Sequence, residues 1–225
     1  MTMYKVPQGV YAPHMVGHFS IDVALIWVGA FTGLVVASAY SEQGARAMYA
    51  YLARHDGLTR LINRQAFEER LERAILSARQ NGHTQSHALM FIDLDDFKLI
   101  NDRYGHAAGD RVLRELAALL QTQVRGRDTV ARLGGDEFVV LLENCDAGCA
   151  GQMAERIADA VRGLQVPVAA ERCQVTVSIG VVSLGSDAGT LEQVLAAAAR
   201  AHYQAKLAGT DPVWHCQLSP PLEVC

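Results

Sequence analysis

The spacing of apolar residues changes several times along this chain, and each change marks an element. Arg64–Gln80 carries Phe67, Leu71, Ala74 and Ile75 at helical intervals, which predicts an amphipathic helix with one buried stripe. His87–Ile92 ends in the unbroken run Leu89-Met90-Phe91-Ile92, the length and composition of a buried strand. Phe97–Tyr104 predicts a further helix, with Asp96 placed to cap it. Gly105 to Gly109 reads as a turn, and Asp110–Val124 as a helix with Val112, Leu113, Leu116, Leu119 and Leu120 on its apolar side. Thr129–Leu133 and Phe138–Leu142 are rich in strand formers, and Gly134-Gly135-Asp136 between them is a hairpin connection. Ala147–Leu164 predicts a helix, Gln174–Val182 a strand and Thr190–Leu207 an alanine-rich helix. Residues 211–225, with Pro212, Pro220 and Pro221, read as a loose tail. This order of elements implies an α/β (α+β) layer fold with a mixed sheet flanked by helices.

The N-terminal fifth follows a different pattern. Residues 1–20 show little periodicity, and His14 and His18 have no further ligands nearby. Val23–Tyr40 is an 18-residue run without a charge, inside a segment 21–40 that predicts a transmembrane helix. Trp27 and Tyr40 suit its interfaces. Ala37-Ser38-Ala39 resembles a signal-peptidase site, but only Lys5 precedes the run, so an uncleaved anchor is the better reading. Arg46, Arg54, Arg60 and Arg64 follow it, a bias that places the rest of the chain in the cytoplasm. The expectation is a single-pass protein of the inner membrane. Gly29 and Gly33 either let two such helices approach closely or are simply tolerated. Residues 41–55 predict a helical connector, which pairs with a partner helix or stands as a solvated stalk. The domain proper then runs over 56–210.

Composition adds boundaries. Of the 225 residues half are hydrophobic, enough for one ordinary core plus an appendage. A net charge of −4 gives no electrostatic footprint for nucleic acid. Five cysteines without a Cys-x-x-Cys pair suit reduced thiols rather than a disulfide framework or a zinc site.

The chemistry gathers at two acidic places. Asp93 and Asp95 leave the buried strand on one face, with Leu94 on the other. Asp136 and Glu137 sit on the hairpin, where a Gly-Gly turn lets backbone approach a ligand closely. Acids at a strand end facing acids on a hairpin tip suit Mg²⁺ shared with nucleotide phosphates.

Gly134-Gly135-Asp136-Glu137-Phe138 resembles the signature of the GGDEF family, the diguanylate cyclases. The resemblance extends upstream through Asp93, Asp95, Phe97, Lys98, Asn101, Asp102, Gly105, His106, Gly109 and Asp110. It begins with Asp56, Leu58, Thr59, Leu61, Asn63 and Arg64, and continues through Val177–Val181, Tyr203 and Lys206. It implies a nucleotidyl-cyclase or polymerase-palm type of sheet. It implies condensation of two GTP into cyclic di-GMP, with two Mg²⁺ (or Mn²⁺) ions per site. Asp93 and Asp136 would be the main metal ligands, with the Leu94 carbonyl and Glu137 adding to them. Asp136 and Glu137 are the catalytic candidates, and Asp95 serves either the metal or the fold. Backbone N–H groups of Asp96 and Phe97, together with Lys98 and Lys206, would meet phosphates, and Gly134 and Gly135 would let substrate in. Asp110 would accept both donors of the guanine edge and Asn101 would read the other edge, rejecting adenine. Each domain would hold one GTP, so a homodimer is expected, its meeting set by residues 21–55. Arg125 and Asp128, with Arg156 on the next helix, resemble the family's inhibitory site for the product.

The chain departs from the family pattern at four positions. Ala199 replaces an acid, His202 a leucine and Thr210 an arginine, and Arg60 stands where glycine is usual. The alternative reading is a catalytically weak receptor that binds cyclic di-GMP at Arg125 and Asp128. A cyclase that also accepts ATP is opposed by Asp110.

Overall fold

The run predicted as the first core strand is β1 (His87–Leu94), and all eight of its residues are buried in this computed structural model. The structure describes residues 31–32, 34, 37–39, 41–81, 86–168, 171–209 and 212–216. Most of the apolar run 23–40, and the histidines at 14 and 18, lie outside the described residues. Among the described residues no helix is long and apolar enough to cross a membrane. The connector is helical and exposed over 41–52. Residues 1–51 and 52–225 form two units, and the sheet with its covering helices belongs to the second.

The second unit begins with α1 (Arg64–Asn81). After β1 come α2 (Phe97–Tyr104) and α3 (His106–Gln123). The hairpin is β2 (Thr129–Gly134) and β3 (Glu137–Leu142). Next come α4 (Ala147–Arg162), the short pair β4 (Gln165–Val168) and β5 (Glu171–Gln174), and β6 (Val177–Leu184). The described chain closes with α5 (Leu191–Ala208) and β7 (Val213–Cys216). The main sheet has the order β2-β3-β1-β6-β7, and β4 and β5 form a sheet of their own. All pairings in the main sheet are antiparallel except β6 with β7, so the sheet is mixed, as predicted.

Alternation along β1 divides the core. Ala88, Met90, Ile92 and Leu94 pack against one apolar layer with Leu116 and Leu120 of α3 and Ile157 and Val161 of α4. Leu89 and Phe91 face the other, with Phe67 and Leu71 of α1 and Val194 and Ala198 of α5. Asp93 continues that second side at the strand's carboxyl end. The helices therefore cover both faces of the sheet and leave its acidic end open.

Four expectations need correction. Gly105 to Gly109 is not a turn: Gly105 alone breaks the chain at φ 81°, and helix resumes at His106. Asp96 does not cap α2 with its side chain; it adopts a left-handed backbone, φ 53°, and its carbonyl accepts from Leu99 N instead. The strand predicted over Gln174–Val182 is interrupted before Val177: Gln174 ends β5, and Val175 and Thr176 lie between the strands. The tail is not loose throughout, because residues 213–216 pair with Ile179–Val182 of β6.

Candidate active site

Strand register brings the two acidic places together. Asp93 on β1 pairs with Glu137 on β3, and Asp136 precedes that partner at the hairpin turn. Gly134 pairs with Glu137, leaving Gly135 and Asp136 as the turn. Gly135 has φ 54°, a left-handed conformation that glycine takes without penalty. Arg132 fixes this turn: its Nε and Nη2 donate to the Gly135 carbonyl at 3.0 and 2.7 Å. Its Nη1 donates to Asp56 Oδ1 at 2.9 Å, and Asp56 also accepts from Thr59 N and Oγ1.

Asp93 is buried at 8% exposure, and Lys206 Nζ of α5 donates to its Oδ1 at 2.8 Å. Burial alone would raise its pKa, but His202 and Lys206 more than offset this and hold the carboxyl below its usual range. Asp136 shifts the opposite way, raised first by burial and then by the charge of Asp93. Lys206 is raised, chiefly by its bond to Asp93. Two carboxylates whose charges act on each other form a hard, all-oxygen donor pair of the kind a divalent cation takes. Among the described residues no three His, Cys, Asp or Glu side chains are gathered closely enough to hold an ion by themselves. Glu137 stands slightly apart, 3.5 Å from Arg64 Nη2.

Asp95 serves the fold. Its oxygens accept from Thr176 Oγ1 and Ser178 Oγ, both at 2.7 Å, and its N–H donates to the Thr176 carbonyl. Asp96, Lys206, Thr176 and Arg162 line a cavity of about 510 Å³ beside the acids. Two of the expected phosphate-binding residues are thus together, while Lys98 is exposed on α2. Asn101 lies against Gly109, the residue before Asp110, so the two groups expected to read guanine are neighbours. Asp110 Oδ2 is 3.8 Å from Arg114 Nη2.

Arg125 and Asp128 line a second cavity of about 290 Å³ with Arg60 and Arg70. The Asp128 carboxylate also holds the local turn, accepting from Arg125 N and Glu143 N. Arg156 is not part of that lining; its Nη2 donates to the Gln123 carbonyl at 2.7 Å. Reading the sequence missed Arg132 and the Thr176–Ser178 pair. Arg132 adjoins the Gly-Gly motif, but nothing local reveals that it spans 76 residues to Asp56.

A mixed sheet covered by helices, with acids joined across strands β1 and β3 at its open end, defines a nucleotidyl-cyclase-like domain. The family model for "Diguanylate cyclase, GGDEF domain" matches residues 53–212, and the chain belongs to the GGDEF family. It is 39% identical over 198 residues to the probable diguanylate cyclase DgcE of Escherichia coli, covering 87% of this chain and 18% of that protein. It is 44% identical over 168 residues to the diguanylate cyclase TpbB of Pseudomonas aeruginosa, covering 73% and 38%. The chain thus spans well under half the length of these curated relatives. Among solved structures, the coiled coil and GGDEF domain of DgcB from Caulobacter crescentus, in complex with c-di-GMP, superposes with a TM-score of 0.75. That match has 26% identity and covers 84% of this chain and 99% of the other. The GGDEF domain of TpbB gives a TM-score of 0.65 at 38% identity, covering 73% and 94%.

Proposed function

We propose that this chain is a diguanylate cyclase that joins two GTP molecules into cyclic di-GMP and releases two pyrophosphates. The observation that carries this reading is the cross-strand pairing of Asp93 with Glu137, which sets Asp136 beside Asp93 at the open end of the sheet. In each of two steps the 3′-hydroxyl of one GTP attacks the α-phosphorus of the other. The new P–O bond forms as the bond to pyrophosphate breaks. Asp93, Asp136, Glu137 and the Leu94 carbonyl would hold two magnesium or manganese ions. Such ions, when bound, stabilise both the attacking and the leaving oxygen.

This chain's residues do the rest. Asp136, whose pKa is already raised, takes up the proton from the 3′-hydroxyl. Lys206 leaves Asp93 for the phosphates, and backbone N–H groups of Asp96 and Phe97 orient them. Asp110 and Asn101 select guanine, because adenine would leave the Asp110 acceptors unpaired. Gly134 and Gly135 keep the hairpin tip free of side chains near the substrate.

One domain holds one GTP, so two copies meet antiparallel as a homodimer. Residues 21–55 tether them, with 21–40 in the inner membrane and the domain in the cytoplasm. Cyclic di-GMP returns to Arg125 and Asp128 as an inhibitor, and Arg156 joins it only by giving up Gln123. The test is cyclic di-GMP formation from GTP and Mg²⁺ over a dilution series. Specific activity falls with dilution if two chains must meet.

A second reading has its own support. The cavity at Arg125 and Asp128 stands apart from the acids, and Lys206 is engaged by Asp93. A weakly active receptor for cyclic di-GMP would bind product there and yield none from GTP even at high protein concentration.

A further inference from the structure

The sheet has a second polar end, opposite the acids. His87 opens β1, about 20 Å along the strand from Asp93, and is 3% exposed. Alternation puts it on the side of Leu89 and Phe91, which faces α1. The pairing of Ala88 with Leu142 places Glu143 across from His87, just past the end of β3. Arg70, Arg73 and Ser77 of α1 share one helix face by their spacing, and with His87 and Glu143 they line a cavity of about 400 Å³. His87 Nδ1 accepts from Asn144 N at 3.2 Å, so the neutral ring carries its proton on Nε2. Burial lowers the His87 pKa and keeps the ring neutral, although the charge of Glu143 acts the other way. The Nε2–H is buried without a hydrogen-bond partner among the described residues, which is costly.

The two guanidiniums also have donors to spare. Arg70 uses Nη1 on Thr129 Oγ1, and Arg73 uses Nε on the Glu69 carbonyl, while the Glu69 carboxylate pairs with Arg54 instead. Among the described residues neither Arg70 nor Arg73 is in an ion pair. We propose that this cavity binds a free phosphate-type oxyanion, orthophosphate or pyrophosphate, with the Arg70 and Arg73 guanidiniums and the His87 Nε2–H as donors. Glu143 sets the selectivity. A carboxylate accepts and does not donate, so it favours an oxyanion that still carries a P–O–H at neutral pH, as both of these do. Sulfate has no such proton and meets repulsion from Glu143 instead. Of the residues that line this cavity, Arg70 alone also lines the one at Arg125, and none lines the cavity beside the acids. The inference does not depend on the cyclase reading.

The full 225-residue chain is titrated by calorimetry at neutral pH, in metal-free buffer, with orthophosphate, pyrophosphate and sulfate in turn. Wild type binds one orthophosphate or one pyrophosphate per chain, at least about tenfold more tightly than sulfate. The tighter of the two identifies the ligand. Arg73→Gln, a change on the exposed side of α1, weakens that binding at least about tenfold. Glu143→Gln can donate to an oxyanion, and it brings sulfate to within about threefold of the tighter ion. Nitrogen-15 NMR shows the His87 ring signal moving as the ion is added. The proposal is overturned if neither ion binds at millimolar concentration, if sulfate binds wild type as tightly, if Arg73→Gln binds like wild type, or if the His87 signal stays in place.

Discussion

Asn101 rests on Gly109 so closely that a Cβ on the glycine would lie 2.0 Å from the Asn101 amide oxygen. The glycine is therefore needed for space, inside a helix where it would otherwise be unfavourable. Gly109→Ala must push the Asn101 amide aside, which on the proposed cyclase reading displaces it from guanine. The expected result is a rise in KM for GTP of about tenfold, with weaker discrimination against ATP. Steady-state kinetics with both nucleotides check this, and an unchanged GTP preference would remove Asn101 from base selection.

Arg60 has φ 64°, a left-handed conformation that costs a side-chain-bearing residue about 1 kcal/mol. Glycine, the residue the family resemblance leads one to expect there, adopts this conformation without that cost. Arg60→Gly should raise stability by a few tenths to about 1 kcal/mol, since the relief of strain outweighs the added freedom of the unfolded chain. Denaturant midpoints measure it, and a loss of stability would mean that the arginine's contacts matter more than its backbone.

Asp136→Asn should reduce turnover by at least about a thousandfold if this acid both holds metal and takes the proton. The same change should stabilise the metal-free protein near neutral pH. Burial and the charge of Asp93 raise the Asp136 pKa in the fold, so the ionised form there is a cost that asparagine removes. A melting-temperature gain of about 1–2 °C is expected. It should vanish below the ordinary value of 3.8, where wild type is protonated as well. A gain that persists in acid would show that charge is not its origin.

Asp56 behaves in the opposite sense. Burial would raise its pKa, but bonds from Thr59 and Arg132 lower it overall. A lowered carboxyl contributes stability that is complete above its ordinary value of 3.8 and is lost as pH falls through the depressed value in the fold. Asp56→Asn should therefore cost about 1–2 kcal/mol at pH 7 and almost nothing in strong acid. Unfolding curves at the two pH values decide it. An equal cost at both would point to packing instead.

The elements with long apolar periods were legible before any coordinates, because β1, the hairpin and the four long helices each bury a whole face. β4 and β7 were not. Each has four residues, too few for a period, and each starts at or near a proline. β7 exists because β6 offers it a parallel edge, which is a tertiary cause that sequence does not display. The same holds at the site. Asp93 and Asp136 stood out because their neighbours formed a spelled motif. Asp95 was ambiguous until Thr176 and Ser178 closed on it from more than eighty residues away. The cap expected from Asp96 failed because that residue takes a left-handed backbone conformation at the end of β1.

Through Arg132, the doorway of the domain and the tip of its hairpin are linked directly. Arg132 bonds both Asp56 and the Gly135 carbonyl, so the start of the domain and the hairpin turn share one guanidinium. The polypeptide entering at this point thus has a two-bond route to the acids of the turn that bypasses the packed interior.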